Sequence, residues 1–253
     1  MVNLVCDEQI ETMLFLMDKA FRDFERTTPS VPRLVELSFG NAYRYEEQHI
    51  YQAIIQKLAR VNSLLRATIL LLNNGFVQEQ AILKRAIDET NEDIIFLVYA
   101  ITIDTVTDLH KRYLEAFWEE EVDESGSAIK SQQKRAMIPR KKIHAYIAKI
   151  EAFGIDSSTG KKNMRTIHRA YSGFVHGASP QIMEMYGGNP PHFHTKGMLR
   201  SPKLQDWIND FWHHAYRSFC SHIAYAKALG EEKHFEVMYE YLKFVDSLKP
   251  LHR

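Results

Sequence analysis

The strongest constraint on the fold is a pair of long periodic segments that are separated by only a few residues. In the first segment, mostly apolar residues recur at alternating steps of three and four positions, which places them along one side of an α-helix. These residues are Tyr51, Ile54, Leu58, Val61, Leu65, Thr68 and Leu72. The spacing predicts a helix of about three heptads with a single apolar seam.

A second long helix is predicted from about Phe76 to Ile103, directly after the sequence Asn73-Asn-Gly75. Gly75 suits the left-handed position that often follows a helix. Beyond Glu92 the second segment becomes apolar on nearly every side, which is typical of a helix at the centre of a bundle. One of its faces carries Leu83, Ile87, Thr90, Ile94, Leu97 and Val98. We expect the two helices to pack antiparallel, because the turn between them is so short.

The rest of the chain favours further helices, and no alternating pattern typical of a β-sheet is found. Residues 27–41 contain prolines that cannot continue a helix, and residues 179–202 are rich in Gly and Pro, so both segments are expected to be loops. Helices are predicted over residues 3–26, 105–122, 139–153, 161–177, 203–229 and 231–247.

The expected fold class is therefore all-α, a multi-helix bundle with long antiparallel central helices. We expect an N-terminal helix and loop over residues 1–40 and a helical domain over residues 41–253. The two parts are expected to form one compact unit overall, because the chain is long enough for a single large core.

Composition and charge narrow the classes of partner and location. Lys plus Arg and Asp plus Glu each number 32, so an anionic partner would have to meet a local basic patch. Cys6 and Cys220 are far apart in the sequence, which disfavours a disulfide framework or a zinc site. The chain start lacks the basic region of a secretory signal, and the longest apolar run, 94–103, is too short to cross a bilayer. We expect a cytoplasmic protein with no cofactor, no bound metal and no membrane association.

The segment 165–177 reads Arg-Thr-Ile-His-Arg-Ala-Tyr-Ser-Gly-Phe-Val-His-Gly and is the main candidate site. On a regular helix, Arg165, Arg169, Ser172 and His176 share one face, whereas the apolar residues around Tyr171 share another. Arg169 and His176 are predicted to point the same way, roughly 10 Å apart along the helix axis.

An arginine and a histidine on one face suit the cleavage of RNA without a metal. A general base removes the proton from the 2′-hydroxyl, and a fixed cation stabilises the charge that develops on the adjacent phosphate. His176 could act as the base or the acid, and Arg169 could grip the phosphate oxygens with its guanidinium fork. We therefore predict Arg169 and His176 as catalytic residues, with Arg165 and Ser172 binding or orienting the substrate.

An Arg and a His separated by four to six residues, on a late helix of an all-α bundle, resemble the motif of the HEPN superfamily of nucleases and nucleotide-binding proteins. The sequence 171–177, together with Leu65-Arg-Ala and Leu83-Lys-Arg-Ala-Ile-Asp-Glu89, is also similar to uncharacterised bacterial proteins usually placed near that superfamily. The likeness covers roughly residues 45–225. It implies a metal-independent endoribonuclease of a toxin or defence system that acts as a homodimer with two motif helices at one cleft. RNA or a nucleotide, and a cognate antitoxin or regulator, would be its partners.

Other residues are weaker candidates for the same site. Arg85 and Glu89 are four positions apart, and in the resembling proteins such a pair lies near the motif helix; a solvated surface pair is the alternative. The spacing also occurs at Arg44–His49 and Arg217–His222, but a step of five residues turns by about 140° on a regular helix and separates the two side chains.

Three alternative interpretations stay open. His176 could be a packing or capping residue, with Arg169 in an ordinary surface pair. The chain could be a non-catalytic HEPN-like scaffold that binds a nucleotide or a partner. A metal-dependent hydrolase could use histidines of the 179–202 loop, although no acidic or Cys residue stands at a recognisable ligand spacing. His192 and His194 lie in that loop, and His213 and His214 of the following predicted helix could also supply imidazole ligands.

Two further groups of residues, one basic and one aromatic, could contribute to binding or to packing. A basic cluster around Pro139 could follow a phosphate backbone or form a solvated face. It consists of Lys134, Arg135, Arg140, Lys141 and Lys142. The aromatic residues of the penultimate helix are expected to be core or dimer contacts; they are Trp207, Phe211, Trp212 and Phe219.

Overall fold

The computed structural model describes residues 5, 7–127, 129–134, 136–151, 166 and 171–248. These residues are mostly helical, which confirms the helical class at that level. The elements in chain order are α1 (Glu8–Thr27), β1 (Arg33–Leu37), β2 (Gly40–Arg44), α2 (Ile50–Asn73), α3 (Val77–Thr102), α4 (Asp108–Trp118), α5 (Arg140–Glu151), α6 (residues 171–175), α7 (Ser179–Ile182), a 3-10 helix (Met183–Met185), β3 (Tyr186–Gly187), β4 (His192–Phe193), α8 (Lys203–Leu229) and α9 (Glu232–Leu248).

The central helices α2 and α3 form the antiparallel pair that the sequence predicts. The backbone N–H of Phe76 donates to the carbonyl of Leu71 at 2.9 Å, and that of Gly75 donates to Leu72 at 2.9 Å. Gly75 has a φ of 76°, so the turn is a Schellman motif with glycine in the left-handed position. Every seam residue of α2 from Ile54 to Leu72 is fully buried, and Tyr51 is half-buried.

α3 lies at the centre of the bundle, because it packs against α2, α5 and α8. Its apolar residues Ile87, Ile94 and Leu97 are fully buried. Lys84 and Asp88 are buried as well, although they are charged. Burying a charge is costly unless it is paired, so these two residues need partners from neighbouring helices.

α1 covers one side of the same core and packs against α2, α8 and α9. The side chain of Asp7 begins the helix by accepting a hydrogen bond from the backbone N–H of Ile10 at 2.8 Å. Met13, Met17 and Phe24 are fully buried. At the other end of α1, the Thr28 hydroxyl lies 3.0 Å from the hydroxyl of Tyr225 on α8.

Two predictions about the loops were wrong, because both contain a short β-hairpin. Within residues 27–41 the chain enters β1, which pairs antiparallel with β2 so that Val35 faces Ala42. Leu34 is 58% exposed and Tyr43 is 69% exposed. The hairpin therefore lacks the buried, alternating apolar face by which a strand is recognised in a sequence. Residues 179–202 hold α7, the 3-10 helix and the pair β3–β4.

α4 is shorter than the predicted helix over residues 105–122. The helix begins only after Thr107, whose backbone N–H donates to His110 Nδ1 at 3.1 Å. It ends at Trp118, because the backbone becomes extended at Glu119 and the side chain of Glu120 turns to bind Arg44 on β2. Within the described ranges, no helix combines the length and the apolar character needed to cross a membrane.

Gly75 and Gly230 provide a matched test of how the α2–α3 turn is packed. Their φ angles are 76° and 79°, but a Cβ at Gly75 would lie 2.5 Å from the backbone nitrogen of Met198, whereas one at Gly230 would meet nothing within 4 Å. Gly230→Ala should therefore lower the free energy of unfolding by about 1–2 kcal/mol, the cost of a left-handed alanine. Gly75→Ala should cost at least roughly twice as much. Chemical denaturation of both variants measures the difference, and equal losses would contradict the close approach.

Candidate functional site

α6 holds the middle part of the candidate segment 165–177 and is docked onto α8 by its apolar face. The hydroxyl of Tyr171, whose residue is only 8% exposed, donates to Asp210 Oδ2 at 2.7 Å and lies 3.0 Å from His214 Nε2. The ring of Phe174 meets that of Trp207 edge to face, with 5.3 Å between the ring centroids. The inward face of α6 is therefore fixed by one hydroxyl and one aromatic contact.

His176 lies in the turn that follows α6 and is exposed. Its backbone N–H donates to the carbonyl of Ser172 at 3.1 Å, and Gly177 then takes the left-handed conformation with a φ of 61°. Ser172 is half-buried. The predicted partners Arg169 and Arg165 lie outside the described residues, so the alignment of Arg169 with His176 remains a prediction.

Arg85 and Glu89 form the ion pair that the sequence suggests. Arg85 Nε donates to Glu89 Oε1 at 2.9 Å, and the two side chains are 26% and 33% exposed. The pair is therefore half-buried and not a fully solvated surface pair. It sits on the same turns of α3 as Lys84 and Asp88, the residues through which α3 binds α8.

Each of the two alternative Arg–His pairs has one member that is already ion-paired or buried. Arg44 lies on a strand, and its guanidinium donates to both carboxylate oxygens of Glu120. His222 is fully buried on α8, where its Nδ1 lies 2.8 Å from the carbonyl of Ser218. Burial lowers the pKa of His222 to about 4, so its imidazole stays neutral near neutral pH.

A buried network of charged and polar side chains joins α3, α6 and α8, and sequence reasoning missed it. The Nζ of Lys84 donates to the carbonyl of Trp207 at 2.8 Å and to Asp210 Oδ2 at 3.0 Å. Asp210 is also the acceptor for Tyr171. Lys84 is thus fully buried but has a carboxylate and a carbonyl as partners.

The network continues through His214 to a second carboxylate. His214 is fully buried, and its Nδ1 lies 3.0 Å from Asp88 Oδ1. Arg217 Nη2 donates to the same oxygen of Asp88 at 2.6 Å. Because Lys84 and Asp88 are four positions apart on α3, and Asp210, His214 and Arg217 follow one face of α8, helical periodicity could have shown the two complementary stripes.

Burial and partner charges set the protonation of this network. Burial lowers the pKa of Lys84 to about 8, although the charge of Asp210 opposes that shift. Burial alone would raise the pKa of Asp210, but the hydrogen bond from His214 and the charge of Lys84 hold it well below its usual range. Burial, followed by the charge of Asp210, raises the pKa of Tyr171. The network therefore holds α3, α6 and α8 together through charged and polar side chains. Its lysine is too buried to contact a polymeric substrate.

A cavity of about 270 Å³ lies beside the network, between α3, α5 and α8. Asp88 and Arg217 line it together with Ile95 and Ile147. Cys220 also lines it, and burial raises the pKa of its thiol to about 11, so the thiol is a poor nucleophile near neutral pH.

The basic cluster around Pro139 is not a continuous phosphate-binding surface in the part of the chain that the structure describes. Arg140 is half-buried; its guanidinium binds Glu92 and Asp93 and donates to the carbonyl of Glu89 at 2.9 Å. Lys134, Lys141 and Lys142 are exposed, and Arg135 lies outside the described residues. Arg140 therefore fixes α5 against α3, and its charge is already paired with two carboxylates.

The histidines of the β3–β4 hairpin and the histidine and aromatic residues of α8 lie in different environments. The rings of His192 and His194 are 4.3 Å apart between centroids in the β3–β4 hairpin, whereas His214 is buried in the network. No group of three potential metal-ligating side chains is found among the described residues. Phe211 and Phe219 are fully buried, while Trp207 and Trp212 pack against the core.

Comparison of the chain with known proteins assigns it to no family. No protein-family model, curated protein or solved structure matches it.

Tyr171→Phe tests whether the hydroxyl fixes α6. The substitution leaves Asp210 and His214 each without one hydrogen bond, which should lower the free energy of unfolding by about 1–3 kcal/mol. Tyr186→Phe is the control, because that residue is 44% exposed and its hydroxyl lies 3.5 Å from its nearest acceptor, the carbonyl of Pro191. Chemical denaturation should show a loss only for Tyr171→Phe; equal stability of the two variants would contradict the anchoring role.

His222 should make the protein less stable in acid. Its pKa is about 4 in the folded state against an ordinary 6.5, so the unfolded chain takes up a proton first as the pH falls. The free energy of unfolding should therefore fall across this window, by at most about 1.4 kcal/mol per pH unit for one proton. Denaturation at several pH values should show a shallower loss for His222→Leu than for the wild type. His194→Gln controls for removal of a histidine; an unchanged slope in His222→Leu would refute the assignment.

Proposed function

We propose that the chain is a HEPN-like, metal-independent endoribonuclease in which His176 exchanges a proton with the substrate and Arg169 binds the scissile phosphate. The observation that supports this most is the orientation of α6. Tyr171 holds one face of the helix in the buried network, whereas His176, in the turn that follows the helix, is exposed. A histidine that must meet a polymer needs such access.

The proposed reaction uses only side chains of the protein. A base takes the proton from the 2′-hydroxyl, the 2′-oxygen attacks the adjacent phosphorus, and the bond from phosphorus to the 5′-oxygen breaks. The products are a cyclic phosphate and a 5′-hydroxyl, whose proton comes from a general acid. His176 is the base or that acid, and Arg169 stabilises the negative charge that develops on the phosphate.

Three neighbouring residues complete the proposed site. Ser172 lies one helical turn before His176, so its hydroxyl can contact the substrate or orient the imidazole. Arg85 and Glu89 would orient the substrate from α3, because their turn of α3 also carries Lys84, whose partner Asp210 accepts the hydrogen bond from Tyr171 of α6. Arg165 would add a second phosphate contact on the outward face of the motif.

A homodimer belongs to this proposal. In the resembling superfamily two motif helices meet at one cleft, which would bring two copies of His176 close to one RNA. The proposed ligand is RNA, and a cognate antitoxin or regulator would act by covering that cleft.

The direct test is His176→Ala assayed on a mixture of structured and single-stranded RNA. Loss of a positioned acid or base should slow cleavage by about a hundred- to ten-thousandfold, whereas the circular dichroism of the helices should not change. His194→Ala is the matched control, since it removes another partly exposed histidine from a different segment. Cleavage that survives in His176→Ala would exclude this assignment.

The same assay separates the alternatives. A scaffold would bind RNA or a nucleotide without turnover, which a filter-binding measurement beside the cleavage assay detects. A metal-dependent hydrolase would lose its activity in the presence of a chelator, whereas the proposed site would keep it.

A further inference from the structure

A further cavity among the described residues lies far along the chain from the motif of α6. It has a volume of about 690 Å³ and opens between α1, α2, the β1–β2 hairpin and the end of α4. That volume lies within the usual range for pockets that bind small molecules or single side chains. Nothing in the proposed RNA site uses it.

The walls of the cavity are aromatic. They include Phe21, Phe39, Tyr43, Tyr45, Phe117 and Trp118. The rings of Tyr45 and Trp118 are 6.4 Å apart between centroids and inclined by 70°, so they form two sides of a corner. Tyr43 is 69% exposed and Phe39 48% exposed, although both are large and apolar, and they belong to the hairpin part of the lining. An entering group would therefore meet π-faces from several directions.

The charge of the lining is negative. Four glutamates, Glu25, Glu119, Glu120 and Glu121, line the cavity with one arginine, Arg44, and Glu25 is also paired with Arg22 of α1 at 2.6 Å. Arg44 is held by both oxygens of Glu120, with its Nε at 2.5 Å and its Nη2 at 2.8 Å. That guanidinium is therefore already paired and does not make the cavity attractive to an anion.

The negative charge of Glu119 is stabilised by uncharged hydrogen-bond donors. Its carboxylate accepts hydrogen bonds from the Gln133 side-chain amide at 2.5 Å and from the backbone N–H of Ala136 at 3.1 Å. Burial, with a contribution from the charge of Glu25, raises the pKa of Tyr45, as expected in a partly desolvated acidic site. A phosphate group would meet like charge here, whereas a cation would be attracted.

Two aromatic residues of this lining are in contact with basic side chains of the same chain. Lys57 Nζ lies 4.8 Å from the centroid of the Phe117 ring, and the guanidinium carbon of Arg22 lies 5.5 Å from that of Phe21. Both distances fall within the range of a cation–π interaction. The chemistry expected of the cavity is thus used by neighbouring residues of the same chain.

We propose that this cavity binds an organic cation, a guanidinium or alkylammonium group on an apolar stem, between its aromatic walls and its carboxylates. The head group would interact with the π-faces and the carboxylates, while the stem would lie along Ile55 and Ala59 of α2. A free polyamine and a Lys or Arg side chain of a partner peptide share this chemistry. The proposal does not depend on RNA cleavage.

Calorimetric titration of the full chain at low salt tests the proposal with three probes. Spermidine represents the free polyamine, and an acetylated, amidated Ala-Arg-Ala peptide represents the side chain of a partner. The same peptide with citrulline in place of arginine has nearly the same shape without the charge. Saturable one-to-one binding of spermidine or of the arginine peptide, weakened by added salt, supports the proposal, and the probe that binds more tightly identifies the source. Absence of binding by both, or equal binding of the citrulline peptide, overturns it.

Variants of the exposed lining locate the site without threatening the fold. Tyr43→Leu and Glu25→Gln should each weaken binding about two- to fivefold, the size expected for one exposed cation–π or ionic contact. Trp118→Leu, in the deeper wall, should weaken it more. Tyr239→Leu and Glu236→Gln remove the same residue types from the exposed face of α9 and should leave binding unchanged. Equal effects of the two pairs would place the cation elsewhere and refute the assignment.

Discussion

The pairing of buried charges between α3 and α8 is the interaction on which the arrangement of the late helices depends. Lys84 and Asp88 lie inside the bundle, and each would be strongly destabilising without a partner. Asp210 and His214 of α8 supply those partners at 3.0 Å each. An apolar interface can slide by a residue at modest cost, whereas a charged one has few acceptable positions, so this network fixes the register of α8 on α3.

The same network decides how the proposed RNA site is presented. Tyr171 enters it from α6 and shares Asp210 with Lys84, so the rotation of α6 about its axis is set by a hydrogen bond and not by apolar contact alone. With that face buried, His176 is left on the solvent side. Structural and proposed catalytic residues therefore alternate within one short sequence, and the position of one depends on the other.

α3 organises the opposite part of the bundle by similar means. Asp93 accepts a hydrogen bond from Lys57 of α2 at 2.9 Å, and Glu92 lies 2.9 Å from His144 of α5. Beyond α2, the negative charge and the aromatic rings around Trp118 form a site of different character. The chain is neutral overall because basic and acidic residues are equal in number. They are unevenly placed, however, and this placement separates the proposed RNA site from the proposed cation site.

The sequence by itself determined the long helices and their turn. The seam from Ile54 to Leu72, the glycine at position 75 and the bounds of α8 follow from periodicity and local backbone preference, which act over a few residues. Tyr171 is buried and His176 is exposed, whereas the predicted alignment of Arg169 with His176 stays a prediction. The tertiary structure alone decided which residues pair with Lys84 and Asp88, that Leu34 and Tyr43 join a hairpin, and where the aromatic cavity opens. These features depend on contacts between residues far apart in the chain, whose energies no local pattern contains.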